Sequence, residues 1–176
     1  PVGGIQFSQD AGSNPGVSSM IRGLDETGNN AGALTLYTGS SPPFMRERVR
    51  IDSSGNVGIG TSTVSPFSDK GLQLGAYGLT LSDRAGYQAA ISNNVYYDGS
   101  TERYIASSGV GVSSYIQTGG DHIWYNAPAG TAGSAATMAE RMRIDAAGNV
   151  GIGRSPNTKL DIEVVDNTAF SPSSSG

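Results

Sequence analysis

One string of fourteen residues occurs twice, 93 positions apart: Glu47-Arg48-Val49-Arg50-Ile51-Asp52-Ser53-Ser54-Gly55-Asn56-Val57-Gly58-Ile59-Gly60 returns from Glu140 to Gly153, changed only at its third, seventh and eighth positions. Such a repeat constrains the fold more than composition does, because both copies must build the same supersecondary unit. In each copy the apolar residues alternate with polar ones or glycine: Val49 and Ile51 with Arg48, Arg50 and Asp52, then Val57 and Ile59 with Gly58 and Gly60. That is the period of half-buried strands, so hairpins are expected over 47–60 and 140–153. Loop length decides which residues meet, since directly opposed side chains share a face. A two-residue turn would set Ile51 against Gly58 and split the apolar set between faces. A three-residue loop, Ser53 to Gly55, pairs Ile51 with Val57 and Val49 with Ile59. It also puts Gly55 where a left-handed residue is needed, and Gly148 takes that place in the second copy.

Glycine inside a strand often marks the close approach of another backbone. Arg48, Arg50, Asp52, Gly58 and Gly60, with Arg141, Arg143, Asp145, Gly151 and Gly153, are therefore expected to pack against a neighbouring subunit, the aspartates pairing with arginines in trans. The alternative is the solvated face of an ordinary hairpin. Looser similarities extend the repeat: Ile5-Gln6-Phe7-Ser8 resembles Leu79-Thr80-Leu81-Ser82, and Leu34-Thr35-Leu36-Tyr37 resembles His122-Ile123-Trp124-Tyr125. Short strands Leu72-Gln73-Leu74 and Leu160-Asp161-Ile162 follow the hairpins. The expected organisation is a first β-module over 1–74, a longer second one over 75–163, and a linker or truncated third over 164–176. Helix-period segments are absent, which makes the fold all-β. The opening Pro1-Val2 and the turn-rich Ser171–Gly176 read as the ends of a fragment.

Glycine supplies 26 of 176 residues and hydrophobic residues 36%, against averages of about 7% and ~45–50%. Either the fold is thin and glycine-packed or other chains complete the core; the second is favoured. A net charge of −4 argues against nucleic acid, whose binders carry a basic face. No apolar run approaches the ~18–20 residues of a membrane span. The absence of cysteine closes disulfide, thiol and zinc-ribbon readings.

The string Glu140-Arg141-Met142-Arg143-Ile144-Asp145 with Gly148-Asn149-Val150-Gly151-Ile152-Gly153 resembles the repeat of bacteriophage tail fibres and tail spikes, where it lies upstream of an intramolecular chaperone domain of the S74 peptidase type. The resemblance implies repeated hairpin modules in an elongated, intertwined homotrimer, located in the virion and serving attachment to a host glycan or protein receptor. Its partners would be copies of itself, neighbouring segments of the fibre and that receptor. It carries no self-cleavage dyad into this chain.

No enzyme and no cofactor is expected. The sole histidine, His122, is the only ring around which a serine triad could form, and a metal site lacks a second imidazole unless subunits share one. His122 and Trp124 align with Leu34 and Leu36, which makes them core residues. Paired carboxylates could suit a glycan-cleaving spike, but Asp25-Glu26, Asp98 with Glu102, and Asp161 with Glu163 read as turns or the wet face of a strand. Gly58-Ile59-Gly60 lacks the third glycine and lysine of a phosphate loop. The second module holds extra residues rich in Tyr96, Tyr97, Tyr104 and Tyr115 among Gly, Ser and Asn, a composition suited to ligand recognition. An extra hairpin whose tyrosines only pack the strand below is the other reading. For the whole chain, a fibre spacer or virion decoration and a polysaccharide depolymerase are the rivals to an attachment segment.

Overall fold

The computed structural model describes residues 4–8, 17–25, 32–39, 45–68, 70–84, 88–107 and 109–163. Every regular element among them is a strand. The stretch expected as a first module holds β1 (Gly4–Ser8), β2 (Val17–Asp25), β3 (Gly32–Thr38), β4 (Arg46–Ile51), β5 (Val57–Ile59) and β6 (Gly71–Leu74). The second holds β7 (Leu79–Arg84), β8 (Gln88–Asn93), β9 (Val95–Tyr97), β10 (Glu102–Tyr104), β11 (Val112–Thr118), β12 (Asp121–Ala127), β13 (Ala139–Ile144), β14 (Val150–Ile152) and β15 (Leu160–Ile162).

Thirteen strands form one sheet in chain order, and β9 and β10 pair separately. At about 4.8 Å per strand the sheet runs roughly 58 Å across its strands. Neighbours are antiparallel except β5–β6 and β14–β15, which are parallel. A parallel step cannot be closed by a tight turn, so connectors 60–70 and 153–159 must cross one face of the sheet.

The repeated hairpin has the register its loop length dictates. Ile51 pairs with Val57 and Val49 with Ile59; Ile144 pairs with Val150 and Met142 with Ile152. Gly55 and Gly148 carry φ of +82° and +77°. The alignment of Leu34 and Leu36 with His122 and Trp124 also holds in space. Leu34 faces Ile51 as His122 faces Ile144, and a register shift follows Leu36 just as one follows Trp124. The similarity of β1 to β7 does not extend to position. One strand, β2, separates β1 from β3, whereas β8 and β11 separate β7 from β12. The extra residues of the second module thus contribute β11 to the sheet and the β9–β10 hairpin beside it.

The two faces of the sheet differ in what lies on them. One is covered by the connectors, by β9–β10 and by segment 128–138. Its buried side chains are largely small or polar: Thr35, Gln73, Thr80, Ser92 and Ser114. Each is satisfied. Thr35 Oγ1 donates to Arg22 O, Gln73 Oε1 accepts from Ser65 N, Thr80 Oγ1 reaches the carbonyls of Ser92 and Val95, and the Ser92 and Ser114 hydroxyls bond each other. An apolar cluster of Val95, Tyr104, Val112, Ala127 and Ala136 packs between β9–β10 and the sheet. The other face has no such cover among the described residues.

Candidate assembly interface

The uncovered face carries the large aliphatic side chains. Strand pairing strings one residue from each of eleven strands into a row: Leu34, Ile51, Val57, Leu72, Leu81, Ile91, Tyr115, Trp124, Met142, Ile152 and Ile162. Ile21, Leu36, Val49, Ile59, Leu74 and Leu79 lie in a second row beside it. Ile5, Leu34, Leu36, Ile51, Ile59, Leu79, Leu81, Ile91, Ile152, Leu160 and Ile162 keep 36–61% of their surface exposed. From β3 to β8 the sheet is therefore inverted, with threonine, serine and glutamine inside and leucine and isoleucine outside, whereas Ile116 of β11 and Ile123 of β12 are buried on the covered face.

That inversion corrects several sequence readings. His122 is exposed and Trp124 half-buried; they occupy the positions the repeat assigns, but the core those positions imply is not supplied by this chain. Asp161, read as the wet side of its strand, is the more enclosed residue. Its carboxylate accepts from Asn157 N and lies 3.4 Å from Arg154 Nε, while Leu160 and Ile162 face outward. Asp98 is a turn residue as expected, accepting from Ser100 N and Thr101 N. Its bond to Arg103, more than either amide, holds its carboxyl well below the usual carboxylate range. Glu26 lies outside the described residues.

The glycine and arginine face, expected to meet another subunit, is occupied from within the chain. A Cβ on Gly58 would stand 2.7 Å from Val64 Cγ2, and one on Gly151 2.2 Å from Arg154 O. The bare backbone makes room for the chain's own crossover connectors. Gly60 and Gly153, at φ of +70° and +78°, turn the chain into those connectors. Arg50 is engaged within its own strand: its Nε and Nη2 bond both oxygens of Glu47, at 2.8 and 2.9 Å. Arg143 grips Glu140 in the same way and also bonds Asp121, so its guanidinium is held charged. Arg48 and Arg141 are the additional residues at the bulge, where a strand gains one residue over its partner. They point to the rim and bond Thr38 Oγ1 and Asn126 Oδ1.

The aspartates close their own hairpins. Asp52 Oδ1 accepts from Ser54 N and Asn56 N, and Oδ2 from Asn56 Nδ2; Asp145 repeats this with Ala147 and Asn149. Sequence reasoning missed Asn56, although the repeat preserves it. It is 1% exposed, and its Oδ1 accepts from Gly71 N at 3.1 Å, tying the hairpin to the crossover strand. Lys70 and Lys159 donate to the loop carbonyls of Ser54 and Ala147. Asn56→Ala leaves the Gly71 amide unpaired in a buried site. It is expected to cost about 2 kcal/mol in denaturant unfolding, against under about 0.5 kcal/mol for the exposed control Ser54→Ala.

Asp145 also sets an expected pH dependence. The Asn149 amide, then the Asn149 side chain, hold its carboxyl below the ordinary value of 3.8. The stabilisation is fully present above that value and is lost as pH falls through the lower folded one. Below about pH 4, wild type should therefore lose stability more steeply than Asp145→Asn, measured by melting temperature in a pH series. Parallel curves would count against it.

The tyrosine insertion does not form one exposed surface. Tyr96 and Tyr104 are buried. Tyr96 meets Phe67 edge-on at 6.1 Å between centroids, and the Tyr104 hydroxyl donates to Pro128 O. Tyr97 is half-buried and donates to Gly99 O, while Tyr115 lies on the opposite, uncovered face. A cleft of about 470 Å³ opens between connector 60–66 and the β9–β10 hairpin, with Tyr96 and Tyr104 in its wall. Among the described residues no group of three or more His, Asp or Glu is placed to hold a metal ion. No protein-family model matches the sequence, and no curated protein matches it.

Proposed function

We propose that the chain is a shaft-forming segment of a homotrimeric fibre of the phage tail-fibre type, whose sheets close on one another to bury the apolar face that each chain leaves exposed. The exposed apolar rows carry this reading. The aliphatic groups on that face present roughly 600 Å² of apolar surface, taking on the order of 120 Å² for a whole side chain. A patch of that size stands at the upper end of the roughly 300–600 Å² that monomers leave bare, and stable complexes bury about 800 Å² per partner. Three sheets related by an axis along the 13-strand direction would each turn the same face inward. They would leave the connector-covered faces, with their rim arginines, in water.

In this arrangement the function is mechanical: the segment holds an attachment tip at a distance in the virion's fibre and performs no chemistry. The burial of Tyr96 and Tyr104 favours such a spacer role over direct contact between these tyrosines and a host glycan or protein receptor. Negative-stain electron microscopy of the purified chain tests the shape. Rods of uniform width, at least about 60 Å long, are the expected particles; round particles of single-chain size would count against a fibre.

A further inference from the structure

The repeat creates a difficulty for any self-assembly through this face. The two hairpins present the same aliphatic residues, Val57 and Ile59 in one and Val150 and Ile152 in the other. Copies displaced by a whole module would still bury leucine against isoleucine and valine, so aliphatic burial barely distinguishes the aligned assembly from the displaced one. A register mark must lie where the modules differ.

The structure holds such a feature. On β11 and β12 the face changes from aliphatic to a hydrogen-bonded aromatic cluster. The Tyr115 hydroxyl bonds His122 Nδ1 and accepts from Gln117 Nε2 at 3.1 Å. The Tyr115 ring stacks on His122 with centroids 6.0 Å apart, and lies 5.2 Å from Trp124. In the first module the places of His122 and Trp124 are held by Leu34 and Leu36. Gln117 and His122 are both exposed. The surface is also shaped here. Tyr115 is a ridge with a groove of about 380 Å³ on the side of Leu81 and Gln117, and another of about 280 Å³ on the side of Leu79 and Trp124.

Resting on the trimer reading, we propose that the Tyr115–Gln117–His122 cluster is the register lock of the assembly, its occupant being the same cluster in another copy of this chain. In the aligned trimer each ridge enters a groove of its neighbour, and the outward atoms of Gln117 and His122 find polar partners. Displaced by a module, the cluster would bury these groups against Leu34 and Leu36 with nothing to bond. Each unpaired buried polar group carries a free-energy penalty, and three chains repeat it. Single polar positions in apolar seams fix register in coiled coils by the same physics.

The chain contains no cysteine, so cross-linking is clean. Chains carrying Ile59→Cys and chains carrying Ile152→Cys are mixed unfolded, refolded together and oxidised, and the disulfide-linked peptides are quantified by mass spectrometry. Cross-links of 59 to 59 and 152 to 152 should dominate in the otherwise wild-type pair, with the mixed 59–152 link rare. In the background Gln117→Leu/His122→Leu the mixed link should rise at least tenfold while the molar mass stays at three chains. Tyr115→Phe, which removes only the shared hydroxyl, should give a smaller rise in the same direction and guards against misfolding of the double variant. Trimers of both variants with a mixed link as rare as in wild type would overturn the register role alone. A wild type that stays a single chain would overturn the trimer reading and the lock with it.

Discussion

Leu81→Asp combined with Ile91→Asp is expected to reduce the particle from three chains to one, with self-association weakened at least 100-fold. The two residues face each other across β7 and β8 and are 42% and 49% exposed. Aspartate there costs the single chain on the order of 1 kcal/mol, because the two carboxylates stand directly opposed but both stay in water. In the trimer the same positions would be enclosed, and an unpaired buried charge is worth several kcal/mol. The contrast between an unchanged circular dichroism spectrum and a lost assembly is the signature to measure. Ser100→Asp, in the exposed β9–β10 turn, serves as the control and should leave the mass at three chains. A double variant that assembles like wild type would move the interface elsewhere.

The second large effect is expected at Gly151. A methyl group there meets Arg154 O at 2.2 Å and the Pro156 ring at 2.9 Å, backbone and a rigid ring that cannot swing away. Gly151→Ala should therefore force the crossover off the sheet and cost about 3 kcal/mol. Gly58 is the same position of the first copy, but its nearest neighbour is the Val64 side chain at 2.7 Å, so Gly58→Ala should cost about 1–2 kcal/mol. Gly60 has no atom within 4 Å of its absent Cβ and only a left-handed backbone to strain; Gly60→Ala should cost about 1 kcal/mol. Denaturant unfolding of the three variants gives the ranking. Equal losses at all three would mean that the clearance for the connectors does not set the cost at Gly58 and Gly151.

The hairpins were legible because three signals agreed: the alternation of Val and Ile, a glycine at the left-handed position, and a loop length compatible with only one sharing of faces. The covered side of the sheet was not legible. Alternation separates the two faces of a strand, yet Thr35, Thr80 and Ser92 look like solvent-facing residues until their hydroxyls are seen bonded to backbone or to one another beneath a second layer. The glycines did signal a close approach. That the approaching chain is the same chain follows from the parallel β5–β6 and β14–β15 steps, whose short strands leave no periodic pattern of their own. Tyr96 and Tyr104 show the same ambiguity. Tyrosine among Ser, Gly and Asn suits a recognition loop, and it suits equally a hairpin laid on a Ser- and Thr-rich sheet, where Tyr104 can bury its ring and still bond Pro128.

The inverted sheet is most directly tested by the molar mass of the purified chain, measured by light scattering coupled to size exclusion. Three times the 18.0 kDa chain mass, eluting earlier than a sphere of that mass, is the expected result. A monodisperse particle of one chain, stable on dilution, would contradict the assembly and leave the apolar face without its partner.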